Sequence, residues 1–223
     1  MEATPGRARR PKLVLGVYVV TAAGMVPGRG HAEVAIGAIE GGANAVQLRA
    51  PGHSDEELLP LARELADRCA ERGVLFIVDD RVELAMACGA AGVHLGQGDP
   101  WLEARVRLGP DMVVGVSVED VQQASAAEAA GADYLGVTVF ATKTKPEATP
   151  VGLERVREIS AATRLPVVGI GGIDASNARQ VLDAGAAGVA VVSAVAAAPD
   201  PAAATRTLVA TIRGTTGKPM RFT

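Results

Sequence analysis

The chain has 223 residues, of which 48% are hydrophobic and 21% are charged, and its formal net charge is -3. This length suits one domain with a sizeable core. The mild negative charge argues against the basic face of a nucleic-acid-binding or membrane-surface protein, and no apolar run approaches transmembrane length, so we expect neither nucleic acid nor a membrane among its partners.

The N-terminal region mimics a short secretory signal, because a basic stretch over 7–12 precedes the apolar run 13–20. The same apolar run also starts a repeating series of strands, and cleavage would remove the first of them, so we interpret it as structural. We expect a disordered lead over 1–11, one folded domain over 12–213 and a flexible tail over 214–223. The two cysteines, Cys69 and Cys88, have no metal or redox spacing and are predicted to be buried thiols of a cytoplasmic protein.

Short apolar strands alternate with segments of helical period along the whole chain. The predicted strands are Leu13–Val20, Ala45–Leu48, Leu75–Val78, Gly92–Leu95, Val113–Val116, Tyr134–Val139, Pro166–Gly169 and Gly188–Val192. The predicted helices span 31–40, 55–72, 82–88, 100–107, 119–130, 153–163, 175–184 and 201–213. Near-continuous apolar strands are typical of a parallel sheet buried on both faces. Eight such units favour an α/β fold of the (β/α)8 TIM-barrel type over an open doubly wound sheet.

Functional side chains of a barrel come from the C-terminal ends of its strands. Gln47 and Arg49 end the second strand and share one face, whereas Leu48 points toward the helices. An arginine near a barrel interior indicates an anion-binding group; the alternative is a solvated loop residue.

Carboxylates follow the next two strands. Asp79 and Asp80 end the third strand, and Asp99 follows the fourth. Neighbouring parallel strands lie about 4.8 Å apart, so Asp80 and Asp99 can reach one Mg²⁺, which proteins usually hold with one or two carboxylates plus phosphates and water. The alternative for Asp99 is a helix cap before Pro100.

The remaining strand ends carry groups that suit phosphate. Ser117 follows the fifth strand, as a phosphate donor or a helix cap, and the loop after the sixth is Thr142-Lys143-Thr144-Lys145. This loop holds two of the chain's four lysines, and a compact ammonium pairs well with phosphate. The glycines around Gly172 and the small residues at Val192 and Ser193 end the seventh and eighth strands, where barrels usually bind phosphate.

These motifs, in this order, resemble the thiamine-phosphate synthase family. The matching segments are Gln47 to Arg49, Asp79-Asp80, His94 to Asp99, Gly115 to Ser117, Thr142 to Lys145 and Gly169 to Ile173. The resemblance spans about residues 16–210. It implies a transferase that joins hydroxymethylpyrimidine diphosphate to thiazole phosphate, releasing diphosphate through a dissociative substitution.

The resemblance also implies a role for each residue. Asp80 and Asp99 would bind Mg²⁺, and Gln47, Arg49, Ser117 and Lys145 would hold the diphosphate. Thr142, Thr144, Gly172, Val192 and Ser193 would hold the thiazole phosphate. Arg49, Ser117 and Lys145 would then carry catalysis by stabilising the leaving group, since the sequence offers no nucleophile or strong base.

Three positions depart from the family pattern. Pro51 replaces a lysine often found there, for which Lys143 or Arg81 is expected to compensate. Asp79, a predicted substrate-binding residue, stands where the family has an asparagine before the metal aspartate, so an amide donor is lost and negative charge is added near a diphosphate. The segment 137–141 is one residue shorter. Two alternatives remain: a thiazole tautomerase paralogue with the same barrel, and a catalytically silent phosphate-binding barrel. The sequence does not determine the oligomeric state, for which a homodimer is one expectation.

Overall fold

Eight parallel strands close into a barrel in which each strand pairs with its neighbours along the chain. The computed structural model describes residues 13–142, 144 and 149–214. The strands are β1 (Val17–Val20), β2 (Ala45–Leu48), β3 (Leu75–Asp79), β4 (Gly92–Leu95), β5 (Val113–Ser117), β6 (Tyr134–Thr138), β7 (Val167–Ile170) and β8 (Gly188–Val191). β8 pairs with β1 through Val17 and Val189, which closes the barrel. The predicted (β/α)8 architecture is therefore confirmed.

A helix follows each strand and packs outside the barrel. The helices are α1 (His31–Glu40), α2 (Asp55–Arg72), α3 (Val82–Cys88), α4 (Trp101–Leu108), α5 (Val121–Ala129), α6 (Gly152–Ala162), α7 (Ala178–Asp183), α8 (Ser193–Ala196) and α9 (Pro201–Arg213). No described helix is long and apolar enough to span a membrane. The expected lead and tail lie outside the described residues, apart from Gly214, which ends α9.

The largest differences from the sequence-based expectation concern β1, α7 and α8. β1 starts at Val17, whose N–H is held by Asn44 Oδ1 at 2.9 Å, so the predicted strand begins four residues too early. α7 starts at Ala178, because Asp174 and Asn177 form a turn with their own backbone. The short α8 was not predicted, since four residues after a strand carry no helical period.

Side chains alternate between two apolar layers, as the pleat of a strand requires. Leu48 and Val46 point outward and pack against the helices in the larger layer. Tyr18, Ala45 and Tyr134 point inward and belong to the smaller layer that fills the barrel. Cys69 and Cys88 are buried in α2 and α3 as free thiols, and burial raises the pKa of Cys69 to about 12.

The end of α8 is fixed by a buried arginine from the loop after β1. Arg29 is 9% exposed, and its guanidinium donates to the carbonyls of Ala196, Ala198 and Pro199 and to Glu33. The last carbonyls of a helix have no partner within the helix, so Arg29 supplies a donor to the buried Ala196 carbonyl and to two carbonyls of the loop that follows α8. This contact joins the loop after β1 to the loop after β8.

Arg29→Met is expected to lower the free energy of unfolding by about 3 kcal/mol, because several carbonyls lose a charged donor. Urea denaturation measures the change. The control is Arg179→Met: Arg179 is 43% exposed and pairs with Asp183 on α7, so its loss is expected to cost less than about 1 kcal/mol. Equal effects of the two variants would contradict the structural role of Arg29.

Candidate active site

The carboxyl ends of the strands surround a pocket of about 730 Å³ that opens to solvent. Nine of the predicted site residues line it: Gln47, Arg49, Asp79, Ser117, Thr142, Thr144, Gly172, Val192 and Ser193. The rest of the wall includes His94, Thr138 and the apolar side chains of Val20, Ile170 and Ile173. The closed barrel therefore brings together residues from every strand end that the sequence singled out except the metal carboxylates. Their roles as ligands stay predictions.

Arg49 is positioned by a hydrogen bond from its backbone N–H and by the carboxylate of Asp79. Its N–H donates to Thr21 Oγ1 at 3.2 Å, and Thr21 in turn contacts His31 Nδ1 at 2.9 Å. The Arg49 guanidinium lies 3.3 Å from the Asp79 carboxylate, and their side chains are 30% and 17% exposed. The departure from asparagine at position 79 therefore places a carboxylate against the main cation of the described pocket wall.

Arg81 does not compensate for the missing lysine at Pro51. Its guanidinium donates to Asp55 at 2.5 Å and to the carbonyls of Ala50 and His53, so it holds the loop after β3 against the loop after β2 and the start of α2. That part of the expectation is wrong, because the side chain is committed to this loop and does not line the pocket. Lys143, the other candidate, and Lys145 lie outside the described residues.

The two predicted metal ligands, Asp80 and Asp99, are not among the residues that line the pocket; they lie on the loops after β3 and β4. Asp80 N–H donates to His94 O at 2.8 Å, which ties the end of β3 to β4. Asp80 has a φ of 59° and is the one non-glycine residue of the described chain in the left-handed region, a conformation that costs about 1–3 kcal/mol. The bond to β4 therefore holds the Asp80 backbone in a conformation that non-glycine residues rarely adopt.

Asp99 closes a turn rather than capping a helix. Its Oδ2 accepts from Gly96 N–H at 2.6 Å, and Trp101 Nε1 donates to Gly96 O at 2.6 Å. The capping alternative is wrong, because α4 begins at Trp101 with Pro100 as its N-cap and no side-chain cap bond. The equivalent alternative for Ser117 is also wrong, since α5 is capped by Asp120.

The floor of the pocket is a row of hydrogen-bonded polar side chains. Gln47 Nε2 donates to Tyr18 Oη at 2.9 Å, and Tyr18 Oη lies 3.0 Å from Tyr134 Oη. Tyr134 Oη contacts His94 Nδ1 at 3.0 Å, and His94 Nε2 contacts Ser117 Oγ at 2.9 Å. Burial raises the pKa of both tyrosines well above the usual value, so both hydroxyls stay protonated.

Sequence reasoning missed the two tyrosines and named His94 only within a segment that matches the family. Both tyrosines lie within strands, where an aromatic residue ordinarily indicates packing. Gly115 and Gly136 are the sequence features that could have indicated these side chains, because a glycine inside a strand often marks a position that another group approaches closely. A Cβ at Gly115 would collide with the Tyr134 ring, and one at Gly136 would lie 2.9 Å from His94 Cε1.

The opposite side of the pocket is built from small residues and hydroxyls. Gly171 and Gly172 follow β7 with φ values of 87° and 61°, and a Cβ at either would meet the backbone of Phe140 or Ala141 within 2.9 Å. Ser193 starts α8 at the end of β8. Thr142 and Thr144 face this side, with their hydroxyl oxygens 2.9 Å apart. Such glycine backbone and hydroxyls suit a phosphate.

A family model described as thiamine monophosphate synthase matches residues 17–195 of the chain. A thiamine-phosphate synthase of Natronomonas pharaonis is 47% identical over 204 residues, which cover 89% of this chain and 95% of that protein. One of Moorella thermoacetica is 45% identical, with 91% and 98% covered. The solved thiamine phosphate pyrophosphorylase of Pyrococcus furiosus is 40% identical with a TM-score of 0.83, covering 91% and 98% of the two chains.

A more distant likeness extends to other barrel enzymes. The 3-hexulose-6-phosphate synthase of Salmonella typhimurium has a TM-score of 0.69 at 17% identity, with 89% and 99% of the chains covered. At this identity the likeness shows the barrel fold alone.

Asp79→Asn is expected to tighten the binding of inorganic diphosphate about threefold, because it removes the carboxylate that now partly neutralises Arg49. Isothermal titration calorimetry measures the dissociation constant. The control is Asp111→Asn, which removes the same charge just before β5, at the other end of the barrel. Weaker binding by Asp79→Asn would show that Asp79 supports the anion site rather than competing with it.

Proposed function

We propose that this chain, which belongs to the thiamine monophosphate synthase family, condenses hydroxymethylpyrimidine diphosphate with thiazole phosphate at the mouth of its barrel. The chain is a transferase, as its relatives of about 45% identity over most of their length are. The observation that carries the proposal is the two-sided pocket, which has Arg49, Gln47 and Ser117 on one side and Gly172 and Ser193 on the other. Two separate groups of anion-binding residues suit two phosphorylated substrates.

The diphosphate is assigned to the side formed by β2, β4 and β5. Arg49 supplies the charge there, and the backbone bond from its N–H to Thr21 fixes where its side chain starts. Ser117 Oγ and Gln47 supply neutral polar groups in the same wall. Lys145 is proposed as a further cation. A guanidinium and hydroxyl that face the leaving oxygens stabilise charge as it develops, which is the interaction that lowers a barrier.

The thiazole phosphate is assigned to the side formed by β7 and β8. Gly172, Val192 and Ser193 line it, and Thr142 and Thr144 face it from the loop after β6. The glycines let this backbone approach the phosphate closely. Holding the thiazole nitrogen against the pyrimidine methylene carbon supplies the positioning that a dissociative substitution needs.

The carboxylates of Asp80 and Asp99 are the proposed magnesium ligands. Both are hard oxygen donors on neighbouring loops, and Asp80 is held rigidly by its strained backbone and its bond to β4. No cluster of three metal-binding side chains occurs among the described residues, so the other positions would fall to substrate oxygens and water. Two carboxylates, completed by substrate oxygens and water, form a set of ligands that suits Mg²⁺. When bound, the ion would neutralise charge on the departing diphosphate.

Thiamine phosphate formation from the two purified substrates, with and without Mg²⁺, tests the activity. Asp99→Ala is expected to lower kcat by roughly 10²-fold, because a metal ligand is lost. Asp99 also accepts from Gly96, so Asp99→Asn is the matched variant: it keeps an oxygen for the turn but loses the charge. Both variants are expected to lose Mg²⁺-dependent activity. Full activity of Asp99→Asn would contradict the metal role and leave the turn as the function of Asp99.

Mg²⁺ binding distinguishes a synthase from the two alternatives, the thiazole tautomerase and the catalytically silent barrel. A synthase is expected to bind Mg²⁺ measurably only with diphosphate present, since two carboxylates alone form an incomplete site. Calorimetry of Mg²⁺ with and without inorganic diphosphate measures the coupling. Thiazole phosphate binding without such coupling, and without product, would favour one of the two alternatives.

The proposal also includes a cytoplasmic location and a homodimer. Buried free thiols at Cys69 and Cys88 agree with a reducing compartment. Cell fractionation and sedimentation velocity test the location and the assembly.

A further inference from the structure

Five side chains from five strands form one hydrogen-bonded row beneath the pocket: Gln47, Tyr18, Tyr134, His94 and Ser117. Its four donor–acceptor distances lie between 2.9 and 3.0 Å. Gln47, Tyr18 and Tyr134 are at most 4% exposed, so water does not compete for these bonds. Only Gln47, His94 and Ser117 reach the pocket itself.

The barrel is shaped to hold this row. Gly115 on β5 leaves the space that the Tyr134 ring occupies, and Gly136 on β6 leaves space beside the His94 ring. Side chains at these two positions would push the rings out of hydrogen-bond distance. Polar groups in such a dry interior must each satisfy their hydrogens and lone pairs, so the direction of every bond in the row is constrained by its neighbours.

The donor and acceptor order along the row follows from the side-chain amide of Gln47 at one end. Gln47 Nε2 can only donate, so Tyr18 Oη accepts from it and must place its own hydrogen elsewhere. Among the described residues, Tyr134 Oη is the group in range, so Tyr18 donates to Tyr134. Tyr134 then donates to His94 Nδ1, which leaves the imidazole hydrogen on Nε2. His94 Nε2–H donates to Ser117 Oγ.

The opposite order would leave a buried hydroxyl hydrogen without an acceptor. If His94 Nδ1–H donated to Tyr134, Tyr134 would have to donate to Tyr18, which already accepts from Gln47. The Tyr18 hydroxyl hydrogen would then be buried without an acceptor, which costs free energy in a dry interior. In the row itself, an accepting Nδ1 and a donating Nε2 give every hydroxyl hydrogen between Gln47 and Ser117 an acceptor.

We propose that this row orients the Ser117 hydroxyl, so that its oxygen accepts from His94 and its hydrogen points into the pocket. Tyr18 and Tyr134 are then positioning residues that act through His94. The catalytic consequence rests on the proposed function: Ser117 donates to an oxygen of the diphosphate as it leaves. In that step the carbon–oxygen bond breaks with its electron pair on oxygen, Ser117 keeps its proton, and the thiazole nitrogen pair forms the new carbon–nitrogen bond.

Nitrogen NMR of the ¹⁵N-histidine-labelled protein tests the order directly, without substrate. The chain has three histidines, and a His94→Gln variant identifies the His94 signals. The expected spectrum shows a hydrogen on Nε2 and a bare, accepting Nδ1. A neutral Nδ1–H form or a doubly protonated ring would overturn the proposal. This result does not depend on whether the protein makes thiamine phosphate, so its failure is distinct from failure of the proposed function.

Two matched variants test the consequence for catalysis. Tyr134→Phe removes the donor to Nδ1, so His94 should lose its single Nε2–H form and kcat should fall about tenfold. That is less than the 10²–10³-fold expected when a stabilising donor such as Ser117 is lost entirely. Tyr18→Phe leaves the Tyr134 donor in place but releases Gln47, so the His94 spectrum should be kept while KM for the pyrimidine diphosphate rises.

Circular dichroism and thermal unfolding confirm that each variant is folded before the kinetics are compared. A merely structural role for the tyrosines predicts that both variants lose stability alike, with unchanged kcat and KM in the folded protein. That outcome, or an unchanged His94 spectrum in Tyr134→Phe, would overturn the positioning role.

Discussion

Closure of the parallel barrel decides which side chains share one space. In an open sheet, β1 and β8 would lie on opposite edges; here Val17 pairs with Val189 and the two strand ends meet. The same closure directs alternate residues of every strand inward. Tyr18, Gln47, His94 and Tyr134 therefore meet in the interior although up to 116 residues separate two of them in the chain. Both the pocket and its floor depend on this geometry.

The floor of the pocket places polar side chains in a barrel interior that is otherwise apolar. A barrel interior is packed with apolar side chains, as the layer around Ala45, Val113 and Val168 shows. Polar groups there are stable only when each finds a partner. The row from Gln47 to Ser117 meets that condition, and it ends at the pocket at both ends. A satisfied network of this kind restricts each side chain to one orientation, which is what preorganised catalysis requires.

The loops above the rim are tied to one another by charged side chains. Arg29 links the loop after β1 to the end of α8, and Arg81 links the loop after β3 to the loop after β2 and the start of α2. Arg49 pairs with Asp79 across the ends of β2 and β3. These contacts divide the arginines of the rim between structural and binding roles. Of these three arginines, only Arg49 lines the pocket.

The sequence by itself determined the α/β alternation, the eight strand positions and the strand-end residues that line the pocket. These follow from local patterns: apolar period, glycine at strand ends, and polar residues such as Gln47, Ser117 and Ser193 directly after apolar runs. Only the tertiary structure decided which residues contact one another. Local sequence contains no information on which ring Gly115 accommodates, that Arg81 would bond Asp55, or that Asp99 would accept from Gly96 while α4 starts beyond it. Those outcomes depend on the distance and direction between elements, which exist only once the barrel has closed.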